Sequence, residues 1–253
     1  MEEKNPIQVA DRIFQVIETL SAKGNLGLME LCKETDLNKT TVHRILNSLI
    51  YMGYVKQDTS TLKYALSFKI WEIANQLLTR LDIVDIAKPF LRELVEKTGE
   101  TVHLVQVDGN YAFYIDKVES YRNSVRMVSK VGKRIPLYCS AVGKAVLAEM
   151  DDDQIRYIWE TSDIHVLTPH TIIDLDTFMV QIDQIRSRGY AMDDEENELG
   201  VRCIAACLKD YKGKPKYAFS LSAPVGRMDE IRIQNIAREV LITKDKIMEA
   251  WTY

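Results

Sequence analysis

Asn38-Lys39-Thr40-Thr41-Val42-His43-Arg44-Ile45-Leu46-Asn47-Ser48-Leu49-Ile50-Tyr51-Met52-Gly53 carries a clear helical pattern in the N-terminal part of this sequence. Val42, Ile45, Leu46, Leu49 and Ile50 recur at three-to-four spacing, which predicts a helix over Lys39–Tyr51 with one apolar face. Asn38 is a residue type that caps a helix start, and Gly53 accepts the left-handed backbone that ends one. With the apolar set turned inward, Lys39, Thr40, Thr41, His43, Arg44, Asn47 and Ser48 face outward. That face is short, polar and cationic.

Upstream, Val9, Ile13, Val16, Ile17 and Leu20 predict an amphipathic helix that starts just after Pro6. Leu28, Leu31 and Cys32 mark a shorter one. Downstream the period changes to two. Val55 and Gln57, then Leu62, Tyr64 and Leu66, alternate around Asp58-Thr59-Ser60 and predict two short strands with a polar turn. Three helices followed by a hairpin make residues 1–66 a winged helix-turn-helix.

In that motif the second helix of the pair lies in the major groove of double-stranded DNA. Arg44 can give two parallel donors to guanine, Asn47 a donor and an acceptor to adenine, and the threonine methyls can meet thymine. Thr40 and Thr41, near the helix start, can hold a phosphate, and Lys56 and Lys63 on the hairpin can reach the neighbouring backbone. A solvated helix face with a surface hairpin accounts for the same pattern. The charge distribution favours the first reading. Net charge is −4 over 253 residues, yet Asn38–Tyr64 holds Lys39, Arg44, Lys56 and Lys63 against Asp58 alone.

The apolar share of 46% and charged share of 28% are those of a globular chain and exclude disordered and fibrous classes. No apolar run is long enough to span a bilayer. Met1–Pro6 has no apolar core, so no signal peptide is expected. The cysteines, Cys32, Cys139, Cys203 and Cys207, do not form a disulfide framework, and a reducing cytoplasmic setting is expected.

Ser67–Leu81 returns to helical spacing, with an apolar stripe along its length that suits a linker packing on a partner chain. Asp82–Thr98 predicts another helix ended by Gly99, with Pro89 kinking it or marking its start. From Thr101 the chain mixes both periods. Thr101–Val107 and Tyr111–Val118 flank Asp108-Gly109-Asn110 as a hairpin. Further strands are expected at Val125–Val131, Leu137–Cys139, Tyr190–Asp193, Val201–Lys209 and Tyr217–Ser222. Helices are expected at Ser140–Met150, Asp152–Glu160, Asp174–Gly189 and Met228–Trp251. Hairpins among helices favour an α+β class with an antiparallel sheet. The expected division is residues 1–66 for DNA binding, 67–81 as linker helix and 82–253 as a ligand-binding domain.

Within 82–253, Ser140-Ala141-Val142-Gly143-Lys144-Ala145 opens a helix with a capping serine and small side chains, a favourable place for an anion. Ser220 and Ser222 are two apart on a strand, so both hydroxyls share a face. Cys203 lies likewise two beyond Val201, and Asp193 begins the run Asp193-Asp194-Glu195-Glu196. Together they read as donors for a carboxylate with one acidic acceptor. A solvent-facing Ser-x-Ser, a solvated acidic loop and core-filling cysteines remain the alternatives. No G-x-S-x-G elbow, P-loop or G-x-G-x-x-G is present. His43, His103, His165 and His170 are scattered, with His103 alone on an expected strand, and Cys203 and Cys207 have no second pair for zinc. Neither enzyme activity, metal nor cofactor is expected.

In order and spacing, these motifs resemble the IclR family of transcriptional regulators over nearly the full length. The resemblance rests on Thr40–Leu46 with Gly53-Tyr54-Val55, Gly132 with Ile135-Pro136, and Ser140–Ala145. It continues through Arg188-Gly189-Tyr190, Asp193–Glu196 with Gly200–Ala206, and Ser220–Pro224. It implies a GAF-like antiparallel sheet with flanking helices in the C-terminal domain, and a homodimer or homotetramer on operator DNA. The implied function is a repressor or activator of a catabolic operon that senses a small carboxylate. Carried over by motif, the effector site comprises Asp193, Cys203, Ser220 and Ser222 with the backbone of Ala141 and Val142. Met127, Ile135 and Val201 correspond to its apolar lining. Tyr138 stands where histidine is frequent in relatives, and Ala141-Val142 replaces a Gly-Ala pair, so effector identity does not carry over. The overall flavour is nearest to regulators of sugar-acid use.

Overall fold

The computed structural model describes residues 5–78, 82–120, 129–210 and 212–252. Its first helices are α1 (Gln8–Lys23), α2 (Leu28–Thr35) and α3 (Lys39–Tyr51). Their apolar stripes meet in one cluster of Val16, Leu20, Leu31, Val42, Ile45, Leu46 and Leu49, closed by Val55 and Tyr64 from the hairpin. Burying each such side chain contributes about 1.5–3 kcal/mol. Strands β1 (Val55–Gln57) and β2 (Tyr64–Leu66) pair antiparallel, Val55 opposite Leu66.

The hairpin turn is longer than Asp58-Thr59-Ser60. Leu62 has φ 56 and is exposed outside β2, because Asp58 Oδ1 gathers the N–H groups of Ser60 (2.9 Å) and Thr61 (2.8 Å) and holds the chain in a turn. Helix α4 (Phe68–Leu78) follows directly. Lys69 fixes its start, donating to the Met52 carbonyl (2.7 Å) and lying 4.6 Å over the Tyr54 ring. By its contacts α4 belongs with the first unit, which spans Met1–Arg80, and the second spans Leu81–Tyr253.

In the second unit, α5 (Asp82–Thr98) is followed by β3 (Thr101–Asp108), β4 (Tyr111–Val118) and β5 (Arg134–Pro136). Next come α6 (Ala141–Leu147), α7 (Asp152–Thr161), α8 (Leu175–Arg188) and β6 (Ala191–Asp194). Strands β7 (Val201–Lys209) and β8 (Pro215–Pro224) and helix α9 (Glu230–Thr252) complete it. The strands form one antiparallel sheet in the order β5-β4-β3-β8-β7-β6. The first and last thirds of the domain therefore interleave at its centre, where β3 lies beside β8. Helix α6 packs across one face, and α5 and α9 pack together against the other.

Three expectations are corrected by the second unit. Pro89 does not start α5; the helix begins at Asp82 and runs through it. Buried Ile83, Ala87, Leu91 and Leu94 hold both sides of the proline, and Lys246 grips Glu93 from α9 (2.9 Å), so the lost backbone bond is outweighed. Leu137–Cys139 is a turn, and the short strand is Arg134–Pro136 instead. The cause lies in α6, where Ser140 Oγ donates to the Pro136 carbonyl (2.6 Å) and Gly143 presses against the Leu137 backbone. Of the strand expected at Val125–Val131, residues 129–131 are not strand; Met127 lies outside the described residues.

Candidate functional site

Helix α3 presents an outward surface in the first unit. Lys39, Thr40, His43, Arg44, Asn47 and Ser48 are exposed and Thr41 half-buried, while Val42, Ile45, Leu46 and Leu49 are buried beneath them. Asn38 Oδ1 accepts the Thr41 N–H (2.8 Å), which fixes where the helix begins. Asn47 lies 3.4 Å from His43, one turn back. Among the described residues Lys39, Arg44 and Lys56 form no ion pair, whereas Lys63 lies 3.6 Å from Glu30. The free cations can therefore meet an anionic partner without breaking an internal contact. Sequence reasoning missed Tyr51, which is 93% exposed. Its spacing of four from Asn47 and seven from Arg44 places it on the same face and was the available signal.

The second polar cluster is built by strand register. Asp193 pairs with Cys203, Cys203 with Ser222, and Ser222 with Thr101, so these four side chains form a row across β6, β7, β8 and β3. The next row on the same face runs Ala191, Ala205, Ser220, His103 and Lys117. The structure thus brings Asp193, Cys203, Ser220 and Ser222 together, on the face that α6 covers. Cys203 Sγ lies 3.1 Å from Ser222 Oγ. Ala141 and Val142 are buried in the same apolar cluster as Ile135, with Cys203 packed on it. Ser140 Oγ accepts the Gly143 N–H (3.2 Å), and the amides of Ala141 and Val142 have no carbonyl within the helix to bond. Val201, half-buried, shares the face of Cys203 two residues on.

The acidic run is only partly solvated. Asp193 and Glu196 are buried, Asp194 pairs with Arg202 (2.5 Å), and Glu195 accepts the Gly200 N–H (2.8 Å). Asp193 Oδ1 accepts the N–H groups of Glu196 (2.8 Å) and Asn197 (3.3 Å). Burial nevertheless pushes its carboxyl up to about 7, against the pull of Lys144 and helped by the charge on Glu196. Lys144 and Glu196 form a buried ion pair that sequence reasoning also missed. Lys144 is the only charge in the apolar run Ala141–Ala148, and a charge there must find a partner.

His103 is buried with Nδ1 3.3 Å from Ser222 Oγ and Nε2 2.6 Å from Ser129 Oγ. Burial, helped by nearby Lys117, pushes its pKa down to about 3. Such a ring is a poor general base, and among the described residues no carboxylate orients it as in a hydrolytic triad. Burial also pushes the Cys139 thiol up to about 12 and the Cys203 thiol above its usual range, which disfavours the nucleophilic thiolate. Among the described residues no helix is long and apolar enough to cross a membrane and no His, Cys, Asp and Glu cluster is arranged for a metal ion.

Comparison with known proteins places the chain in a family. Residues 9–59 match the IclR helix-turn-helix domain, and residues 75–249 match the bacterial transcriptional regulator IclR C-terminal family. The chain is 35% identical over 234 residues to the HTH-type transcriptional regulator KdgR of Escherichia coli, covering 92% of this chain and 89% of that one. It is 36% identical to the DNA-binding transcriptional repressor YiaJ of the same organism, over 93% and 85% of the two chains. Among solved structures, the IclR protein of Thermotoga maritima superposes with a TM-score of 0.82 at 28% identity, covering 97% of this chain and 99% of that one.

Proposed function

Because the chain belongs to the IclR family of bacterial transcriptional regulators, we propose that it represses a catabolic operon and responds to a small keto or sugar acid. The observation that carries the reading is the row Asp193–Cys203–Ser222, a buried acid, thiol and hydroxyl on one sheet face under α6, in a chain whose α3 turns an acid-free polar face to solvent. Ser220, Ser222 and the Ala141 and Val142 amides would donate to the effector carboxylate, and Asp193 would accept from a hydroxyl. Ile135 and Val201 would line the apolar side. On DNA, Arg44, Asn47, Thr40, Thr41, His43 and Ser48 would meet base edges and phosphate, with Lys39, Lys56 and Lys63 on the backbone.

The working unit is a homodimer or homotetramer acting on DNA in the cytoplasm. Phe14 in α1 and Phe68, Trp71 and Ile73 in α4 are exposed in the single chain, and an apolar surface of this kind is what a partner copy would cover. The effector shifts a two-state equilibrium only through its differential affinity, commonly worth about 1–3 kcal/mol, and α4 would carry that bias between the units.

The test is a thermal-shift screen of keto and sugar acids followed by titration of the protein–duplex complex with each acid that binds. An acid that raises the midpoint and weakens duplex binding supports the reading. Ser220→Ala with Ser222→Ala should abolish the acid response and leave duplex affinity intact; a retained response rules this site out.

A further inference from the structure

His103 ties the two hydroxyls that flank it into one series. The ring is buried on β3, Ser222 Oγ lies 3.3 Å from Nδ1, and Ser129 Oγ lies 2.6 Å from Nε2. The Tyr114 ring lies tilted against it, 4.9 Å between ring centroids, and Lys117 Nζ donates to the Ser129 carbonyl (2.9 Å), so both ring and serine are held in place. Burial and the nearby ammonium keep the imidazole neutral at physiological pH. A neutral imidazole has one N–H and one lone pair, so the direction of one hydrogen bond dictates the direction of the other.

We propose that His103 is a positioning residue for the acid effector, changing tautomer when the effector takes the Ser222 hydrogen and so reversing the hydrogen bond at Ser129. This rests on the reading of Ser222 as a carboxylate donor. Without effector, Ser222 donates to Nδ1, and Nε2–H donates to Ser129 Oγ. With effector, Ser222 turns its hydrogen to the carboxylate, Nδ1–H donates to the vacated lone pair of Ser222 Oγ, and Ser129 donates to Nε2. Both serines keep their protons, the ring stays neutral, and one proton has moved from Nε2 to Nδ1. Cys203, 3.1 Å from Ser222 on its other side, remains a thiol throughout. Two results follow for the effector. Ser222 is presented as a donor only, which selects an anionic oxygen over a hydroxyl. Occupancy is also reported to Ser129, which lies across the ring from the sheet row that binds the acid.

The experiment uses the full chain labelled with ¹⁵N-histidine, with pyruvate, D-gluconate and D-galacturonate as probes. Two-bond ¹H–¹⁵N spectra distinguish the tautomers, and loss of one of the four histidine patterns in His103→Asn assigns the ring. The expected result is an Nε2–H pattern in the free protein that becomes Nδ1–H with an acid that also raises the thermal midpoint. His103→Leu should weaken that acid about tenfold, the worth of one hydrogen bond, at unchanged duplex affinity. His103→Asn, whose amide N–H stands where Nδ1–H stood, should restore most of the loss. Acid binding with no change of tautomer overturns the proposal and leaves the acid-effector reading standing. A charged ring in either state overturns it as well. If none of the probes binds, the thermal shift shows the effector reading itself to have failed, and the proposal falls with it.

Discussion

Lys144 and Glu196, 52 residues apart, form an ion pair with both side chains shut off from solvent. One lies in α6 and the other in the turn after β6, so the pair pins the helix that covers the sheet to the strand that carries Asp193. The desolvation of two charges makes such a pair costly to break from one side only. Lys144→Met is therefore expected to lower unfolding free energy by about 3–5 kcal/mol, and Lys144→Met with Glu196→Leu to recover most of it. Urea denaturation of both variants checks this; equal loss in single and double variants would show that the charge pairing is not the cause.

Gly143 has a different role. A Cβ at this position would lie 2.3 Å from both the Cα and the carbonyl oxygen of Leu137, and both of those are backbone atoms that cannot swing away. Gly143→Ala should cost about 1–3 kcal/mol or more and displace the start of α6, while Gly226→Ala, with nothing within 4 Å, should stay within about 0.5 kcal/mol of the parent. Thermal unfolding of the pair measures the contrast.

How much of this was legible in the sequence divides along local and non-local lines. Helix α3 could be bounded from Asn38 and the spacing of Val42, Ile45, Leu46 and Leu49, because capping and amphipathicity are local properties. Strand β7 was expected over Val201–Lys209, and the strand has those bounds. Asp193, Cys203 and the paired serines were singled out by spacing on expected strands and by the acidic run, but their meeting is a matter of register across β6, β7 and β8. Leu137–Cys139 misled because apolar residues after a proline read as strand until the contact with Gly143, six residues on, is known. The His103–Ser222 contact joins residues 119 apart through the placement of β3 beside β8, which no local pattern encodes.

The cap at α3 gives a prediction local to the DNA-facing unit. Asn38→Ala removes the acceptor of the Thr41 N–H and should cost about 1 kcal/mol in that unit. Hydrogen exchange should quicken at the start of α3 and remain unchanged in β7 and β8.

The buried acid and the buried histidine give opposite pH dependences. Asp193 sits at about 7, above its ordinary 3.8, so the folded chain holds more protons than the unfolded one between those values, and this group lowers stability as pH rises through them. His103 sits at about 3, below its ordinary 6.5, so the folded chain holds fewer protons there and stability falls as pH drops from 6.5 toward 3. Between about pH 4 and 6.5 the two slopes oppose each other, each up to about 1.4 kcal/mol per pH unit. The stability of Asp193→Asn relative to the parent should therefore rise as pH rises from 4 to 7. That of His103→Asn should rise as pH falls from 6.5 to 3. Denaturation midpoints across this range test both signs.

If the outward face of α3 reads DNA sequence, salt-titrated binding to a duplex selected by the full chain from a random pool will show it. The parent chain should prefer the selected duplex to a scrambled one by at least about 10³ at physiological salt. Arg44→Ala should lose about 1–3 kcal/mol on the selected duplex alone, with relaxed preference at one base position. Failure to enrich any sequence, or an Arg44→Ala loss that is equal on both duplexes, would contradict base reading by this helix.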